Sequence, residues 1–324
     1  MKRLGILFLA AVLAVATAGL APASMHTSAT VKKAIVLAVF GTTVPAALKS
    51  ILSLQSKMAQ AFPDMPVSLA FTSEIVRAKW AGRAQDAAWR RQHPEVPDAL
   101  YTVKNPLATI ANLQDQGYRY IAVQSTHIFP GEEYENLKSE IDALAAIRTL
   151  RDRDRPFRKI VLGRPALGAP GDRHPYSEDI AHAALVLEAD IALARKNRSA
   201  LVYMGHGNEV FSTGVYMELE AALRDSAPEV PVFVGVVEGF PPLERVIDAL
   251  THAKVKTVTL FPLMVVAGDH AANDMAGAED DSWKTRIQAK GITVTPMLRG
   301  LGEVDAWADI YVQHLKDAMK DEGF

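Results

Sequence analysis

From residue 32 onward the chain reads as an α/β protein of two similar lobes, each a parallel sheet flanked by helices, with a cleft between them. Three observations predict this. Apolar runs that suit strands alternate strictly with apolar positions at helical spacing, the pattern of parallel sheets covered by helices. The pattern runs once to about residue 165 and restarts near 198. The two rounds also align: Phe40-Gly41-Thr42 lies over Met204-Gly205-His206, and Gly131-Glu132-Glu133 over Gly268-Asp269-His270. The expected organisation is an N-terminal lobe over 32–165, a linking segment and helix over 166–197, and a C-terminal lobe over 198–324.

In the first round, 33–40 (KAIVLAVF) is a continuous apolar run, as expected of a strand buried on both faces, and Gly41-Thr42-Thr43 ends it. Leu48, Ile51, Leu52, Ala59 and Phe62 follow at helical spacing, and 67–71 is the second strand. Leu107, Ile110 and Ala111 mark a helix closed by Gly117, a residue that readily takes the left-handed stop. The third strand is 120–124. Tyr134, Leu137, Ile141 and Leu144 give a helix, and 159–162 a fourth strand. Ala183, Leu187 and Ile191 belong to the linking helix. The second round has strands at 200–204, 231–237, 255–262 and 292–295. Its helices lie at 215–223, through Leu243, Val246, Ile247 and Leu250, and through Val304, Trp307, Tyr311, Leu315 and Ala318. Ligands of such sheets bind beyond the carboxyl ends of the strands, so duplicated lobes would present these loops to a shared cleft.

The first segment is set apart. Lys2 and Arg3 precede an apolar run over 4–20, and Ala21-Pro22-Ala23 follows. These are the parts of a secretory signal peptide, assigned to 1–23. The expectation is a soluble protein outside the cytoplasm, periplasmic in a Gram-negative cell. No later stretch is long and apolar enough to span a bilayer. Removing the segment takes the formal net charge from −2 to −4, which argues against a nucleic-acid surface. At 49% apolar and 22% charged residues the chain can bury a sizeable core. It has no cysteine, which excludes thiolate nucleophiles, iron–sulfur clusters and Cys-based zinc sites and leaves metal chemistry to His and carboxylates. There is no GxxxxGK[ST] phosphate loop.

Among nine histidines, His127, His206 and His270 follow strand ends, where this architecture places its site. His26, His174, His182, His252 and His314 read as structural or surface residues. His206 lies between two glycines that leave the imidazole uncovered, His270 lies in VAGDHAAND, and Glu238 ends the strand VGVVE. His206, Glu238 and His270 together suit a divalent first-row metal such as Co, Fe, Ni or Zn with an open position, and the imidazoles can also take protons near neutral pH. Metal insertion into a tetrapyrrole needs both capacities, since a divalent ion must be handed over as two pyrrole N–H protons leave. Glu132, Glu133 and Glu135 open a helix, where they either meet its dipole or line the cleft.

Eight stretches carry a resemblance: AVFGTT (38–43), AFTSEIVR (70–77), QGYRYIAVQSTHIFPGEEYENL (116–137), VYMGHG (202–207), VGVVEGFP (234–241), FPLMVVAGDHAANDMA (261–276), DSWKTR (281–286) and GLGE (300–303). In these the chain resembles the class II tetrapyrrole chelatases, most closely the single-chain anaerobic sirohydrochlorin cobaltochelatases. The resemblance implies two α/β lobes around a sirohydrochlorin cleft and ATP-independent insertion of Co2+, or Fe2+. In it His206 and His270 are catalytic, His206, Glu238 and His270 hold the metal, and the protein is a homo-oligomer. Arg77, Lys79 and Lys284 are candidates for meeting the carboxylates of so large a substrate. The chain departs from the family pattern in its leader, in extra residues over 82–98 and in the basic stretch 148–158. The leader resembles periplasmic members, some of which bind haem b at a subunit contact; His93, in the inserted segment, and His127 are the candidate haem ligands. A periplasmic metal or haem carrier without turnover, and a bilobal solute-binding protein, are the competing readings.

Overall fold

The computed structural model describes residues 31–324; the signal-peptide reading of 1–23 lies outside the described residues. In chain order the elements are β1 (Lys33–Val39), α1 (Leu48–Ala61), β2 (Val67–Phe71), α2 (Glu74–Gln85), α3 (Ala87–Gln92), α4 (Pro106–Asp115), β3 (Tyr120–Ser125), α5 (Glu132–Ala145), β4 (Lys159–Gly163), α6 (Tyr176–Val186) and α7 (Glu188–Asn197). The second round is β5 (Ala200–Gly207), α8 (Val215–Ser226), β6 (Val232–Glu238), α9 (Leu243–His252), β7 (Thr257–Leu263), α10 (Trp283–Gln288), β8 (Thr293–Pro296) and α11 (Asp305–Asp321). Among the described residues no helix is long and apolar enough to cross a membrane.

The strands form two four-stranded, wholly parallel sheets, ordered β2-β1-β3-β4 and β6-β5-β7-β8. The orders are the same once each strand is matched to its counterpart, so the restart in the sequence is a repeat in space. Ala34 through Val39 of β1 and Ala200 through Met204 of β5 are at most 3% exposed, because both are interior strands covered on both faces. Local signals start and stop the helices. Asn105 accepts the Ala108 N–H and Pro106 fills the first turn of α4. The chain leaves α4 through Gly117 at φ +88°, with the Tyr118 N–H returning to the Leu113 carbonyl.

Two features depart from the sequence reading. The single linking helix is two, α6 and α7, meeting at Leu187. The last helix, expected within the C-terminal lobe, crosses back: α11 packs on β3, β4 and α1 of the first sheet, while α6 packs on α8 and α7 packs on β5 and β7 of the second. A periodic apolar stripe shows that a helix has a buried face but not which sheet covers it. The crossing is sealed by buried charge. Arg164, just past β4, forms a two-bond pair with Asp179 of α6 at 2.7 and 2.8 Å and reaches Asp317 of α11 at 3.0 Å. His314 Nε2 lies 3.0 Å from Asp179 and its Nδ1 3.2 Å from the Arg164 carbonyl.

Candidate active site

In each sheet the connections leave the first and third strands in opposite directions, so a crevice opens between their carboxyl ends. That point lies between β1 and β3 in one lobe and between β5 and β7 in the other. The four loops involved meet around one cavity of about 1140 Å³, counting the space at its open mouth. Phe40 to Thr43, Thr126 to Phe129, His206 with Gly207, Leu263 to Val266 and Gly268 to His270 all contribute to its wall. Most of that wall is apolar, and its size suits an organic ligand rather than a bare ion.

Backbone constraints hold two of these loops. Gly41 sits at φ +101°, where a Cβ would come 2.7 Å from the Phe71 ring. The Trp80 indole N–H donates to the Thr42 carbonyl at 2.8 Å and Arg83 to the Thr43 carbonyl at 2.6 Å, so α2 braces the first loop. Gly207 sits at φ +80°, and a Cβ there would lie 1.9 Å from the Glu238 carbonyl oxygen. That close approach is how β5 turns away directly after presenting His206.

His206 and His270 converge: their rings are 4.9 Å apart, centroid to centroid, and inclined at 82°. Their outer partners decide which nitrogen is available. His206 Nδ1 lies 3.2 Å from the Gly207 carbonyl, and a carbonyl can only accept, so the proton is on Nδ1. His270 Nδ1 lies 2.5 Å from Asp274 Oδ2, one turn on in the π-helical segment Ala271–Met275. Each neutral imidazole is left with an Nε2 lone pair, the form that binds a divalent metal.

Glu238 does not join them in lining the cavity. Strand β6 is on the far side of β5 from the crevice, and the register pairs Glu238 with Gly207, next to His206. Among the described residues no group of three His, Asp or Glu side chains is close enough to hold an ion. The carboxylates that do line the cavity are Glu133 from one lobe and Asp269 from the other; Glu132 and Glu135 do not. Arg77 donates to the Phe71 and Thr72 carbonyls and Lys284 to the Ala276 carbonyl; neither they nor Lys79 reach the wall. Asp274 escaped the sequence reading, although its spacing of four from His270 was a usable signal.

His127 is inside this cavity, not at an outer edge of the lobe, and its Nε2 is enclosed without a hydrogen-bond partner. Burial pushes its pKa down to about 4 against the opposing pull of the Glu133 charge, so the ring is neutral at physiological pH. His93 is elsewhere, on the inserted segment at the end of α3. Its ring lies on Trp89 at 4.1 Å between centroids, and Nδ1 is 3.1 Å from Glu95. His174 pairs with Asp321 at 2.9 Å, His314 is in the buried network, and His182 and His252 are exposed.

Comparison with known proteins agrees with this geometry. The family described as cobalt chelatase (CbiK) matches residues 33–320. The chain is 33% identical over 288 residues to the sirohydrochlorin cobaltochelatase CbiKC of Nitratidesulfovibrio vulgaris, spanning 89% of this chain and 91% of that one. It is 33% identical over 289 residues to the sirohydrochlorin cobaltochelatase of Salmonella typhimurium, spanning 89% and 97%. Among solved structures, SirB from Bacillus subtilis with Fe3+ superposes at a TM-score of 0.56 with 14% identity, covering 90% of this chain and 98% of that one. The sirohydrochlorin chelatase SirB from Bacillus subtilis subspecies spizizenii in complex with cobalt gives 0.55, also at 14% identity, covering 90% and 97%. At that identity the two structures speak for the two-lobed fold.

Proposed function

The chain belongs to the CbiK cobalt chelatase family, and on that footing we propose that it inserts Co2+ into sirohydrochlorin without a nucleotide, with Fe2+ as a second accepted metal. The observation that carries this is the pair His206 and His270 at one cavity wall, each with Nδ1 engaged and Nε2 free. The two Nε2 lone pairs take up the divalent ion, and Glu133 and Asp269 favour its entry. The apolar wall receives a face of the macrocycle. As the ion passes to the ring nitrogens, the two imidazoles it leaves are free to accept the two displaced pyrrole protons, so ligand and base are the same residues in succession. Glu238, one strand away, is proposed as a further metal ligand. The test is cobalt-sirohydrochlorin formation, followed by absorption, by wild type, His206→Ala, His270→Ala and the double variant, with circular dichroism as folding control. Each single variant is expected to lose about 10²–10⁴-fold, and the double variant to fall to the uncatalysed rate. A folded double variant with wild-type turnover would overturn the mechanism and favour a carrier.

We further propose that the protein is exported after cleavage at Ala23, is a homo-oligomer and binds haem b through His93. The donor set fits: the imidazole is oriented by Trp89 and Glu95 and its Nε2 has no hydrogen bond among the described residues. Haem there would supply one-electron chemistry at a subunit contact. His127 does not suit that role, being enclosed between the lobes. Intact mass of the periplasmic protein tests the cleavage, light scattering the assembly, and loss of the Soret band in His93→Ala the haem ligand.

A further inference from the structure

The cavity holds three histidines, and the mechanism uses two. The third, His127, follows β3 of the first lobe, and its side-chain partner is Ser125. The Ser125 side chain is fully buried. Its oxygen accepts the His127 backbone N–H at 3.3 Å and lies 2.8 Å from His127 Nδ1. It has no other hydrogen-bond partner among the described residues. If Nδ1 carried the proton and donated to the hydroxyl, the hydroxyl hydrogen itself would be buried with no acceptor. If the hydroxyl donates to Nδ1, every polar atom of Ser125 is satisfied. Either tautomer leaves one buried donor without a partner in the empty cavity, but with the proton on Nδ1 the Nε2 lone pair is unmet as well. The arrangement with fewer unmet groups is favoured, so the proton of His127 is on Nε2.

This reverses the chemistry of the other two rings. His206 and His270 donate from Nδ1 and offer lone pairs at Nε2; His127 accepts at Nδ1 and offers an N–H at Nε2. That N–H is enclosed and unpartnered, on a residue that lines the cavity. A protonated nitrogen repels a cation and cannot ligate one, so it waits for an acceptor. The inner nitrogens of a tetrapyrrole are committed to the metal, whereas its peripheral carboxylates are strong acceptors on its rim.

We propose that His127 is a substrate-positioning residue whose Nε2–H donates to a peripheral carboxylate of the tetrapyrrole, fixing the rotation of the macrocycle against the first lobe. This rests on the chelatase reading above. The burial that keeps the ring neutral maintains the required form throughout the physiological range.

The experiment compares wild type, His127→Ala and His127→Gln, the glutamine amide placing an N–H near the position of Nε2 without offering a base or a ligand. Metal-free sirohydrochlorin is titrated by fluorescence, steady-state kinetics are run with Co2+, and the His127 ring nitrogens are assigned by 15N NMR. His127→Ala should weaken sirohydrochlorin binding about 10- to 100-fold, the range for a hydrogen bond to a charged group. Its KM for sirohydrochlorin should rise in step, with kcat and the KM for Co2+ nearly unchanged, and His127→Gln should recover most of the loss. The NMR spectrum should show the proton on Nε2. Unaltered binding in His127→Ala, an equal fall of kcat in both variants, or a proton on Nδ1 overturns the proposal. A wild-type protein that binds sirohydrochlorin through His127 yet never metallates it would sink the chelatase reading and leave this inference standing. Full metallation with indifference to His127 does the reverse.

Discussion

Replacing Asp274 with alanine should weaken Co2+ binding without touching a metal ligand. Asp274 accepts the Nδ1–H of His270 at 2.5 Å and thereby keeps the Nε2 lone pair facing outward. The loss of such a partner behind a ligating histidine typically costs about 10- to 100-fold in metal affinity. Both side chains remain well exposed, 43% for His270 and 45% for Asp274, so water screens the pair and can replace part of the bond. The lower end applies: about 10-fold, or about 1.4 kcal/mol. Asp274→Asn keeps a carbonyl that can accept the same N–H, and its loss should be smaller. The assay is competition for Co2+ against a chromophoric chelator, with no tetrapyrrole present, on wild type, Asp274→Asn, Asp274→Ala and His270→Ala. Affinity should fall in that order. Wild-type affinity in Asp274→Ala alongside a clear loss in His270→Ala would refute the orienting role.

Three further outcomes are expected. Gly207→Ala must accommodate both a positive φ and a Cβ on the Glu238 carbonyl; the loss should be about 1–3 kcal/mol or more, and an unchanged melting temperature would contradict it. Asp179→Ala leaves Arg164 and His314 buried without their anion and should cost about 3–5 kcal/mol in urea unfolding. Burial alone would raise the Asp179 pKa, but hydrogen bonds from Arg164 and His314 hold it below the usual range. Its contribution is therefore present above an unfolded value of about 3.9 and lost as pH falls, and the variant should lack that acid slope. His127 has the opposite character of charge: the unfolded imidazole protonates near 6.5 while the folded one stays neutral to about 4. Stability should decline between those values by roughly 2–3 kcal/mol after discounting for partial exposure. His127→Gln should remove that decline, and an identical slope in wild type and variant would count against the burial argument.

The strands were legible because interior parallel strands are continuous apolar runs, and the three cavity histidines were found from the loops at their ends. His206 and His270 met as expected, since their strands flank the same crevice. Glu238 did not reach the cavity wall, because sequence order does not state strand order: β6 follows β5 in the chain but lies outside it in the sheet. The inserted 82–98 segment carries its own cap, with Asp86 accepting the Ala88 and Trp89 N–H groups, a signal outside the apolar pattern. The basic stretch 148–158 is held by exposed ion pairs of Asp152 with Arg155 and Arg158, which apolar periodicity does not report. The tautomer of His127 depends on where one buried hydroxyl hydrogen can go, which is set by the folded surroundings of Ser125 and not by sequence spacing.

The crossing of α11 onto the first sheet, and of α6 and α7 onto the second, is reciprocal. Each half of the repeat hands its trailing helices to the other. Two copies of a half-length chain that had exchanged their last segments around a twofold axis would show the same pattern. Joining the end of one copy to the start of the other would yield this molecule. Seen in that way the cavity is an internal interface between the two halves of the repeat, and His206 and His270 occupy only one of its two pseudo-equivalent sides. The counterpart wall carries Thr42 in place of one histidine and Glu133 in place of the other, so the two halves of the repeat present different chemistry to the one cavity.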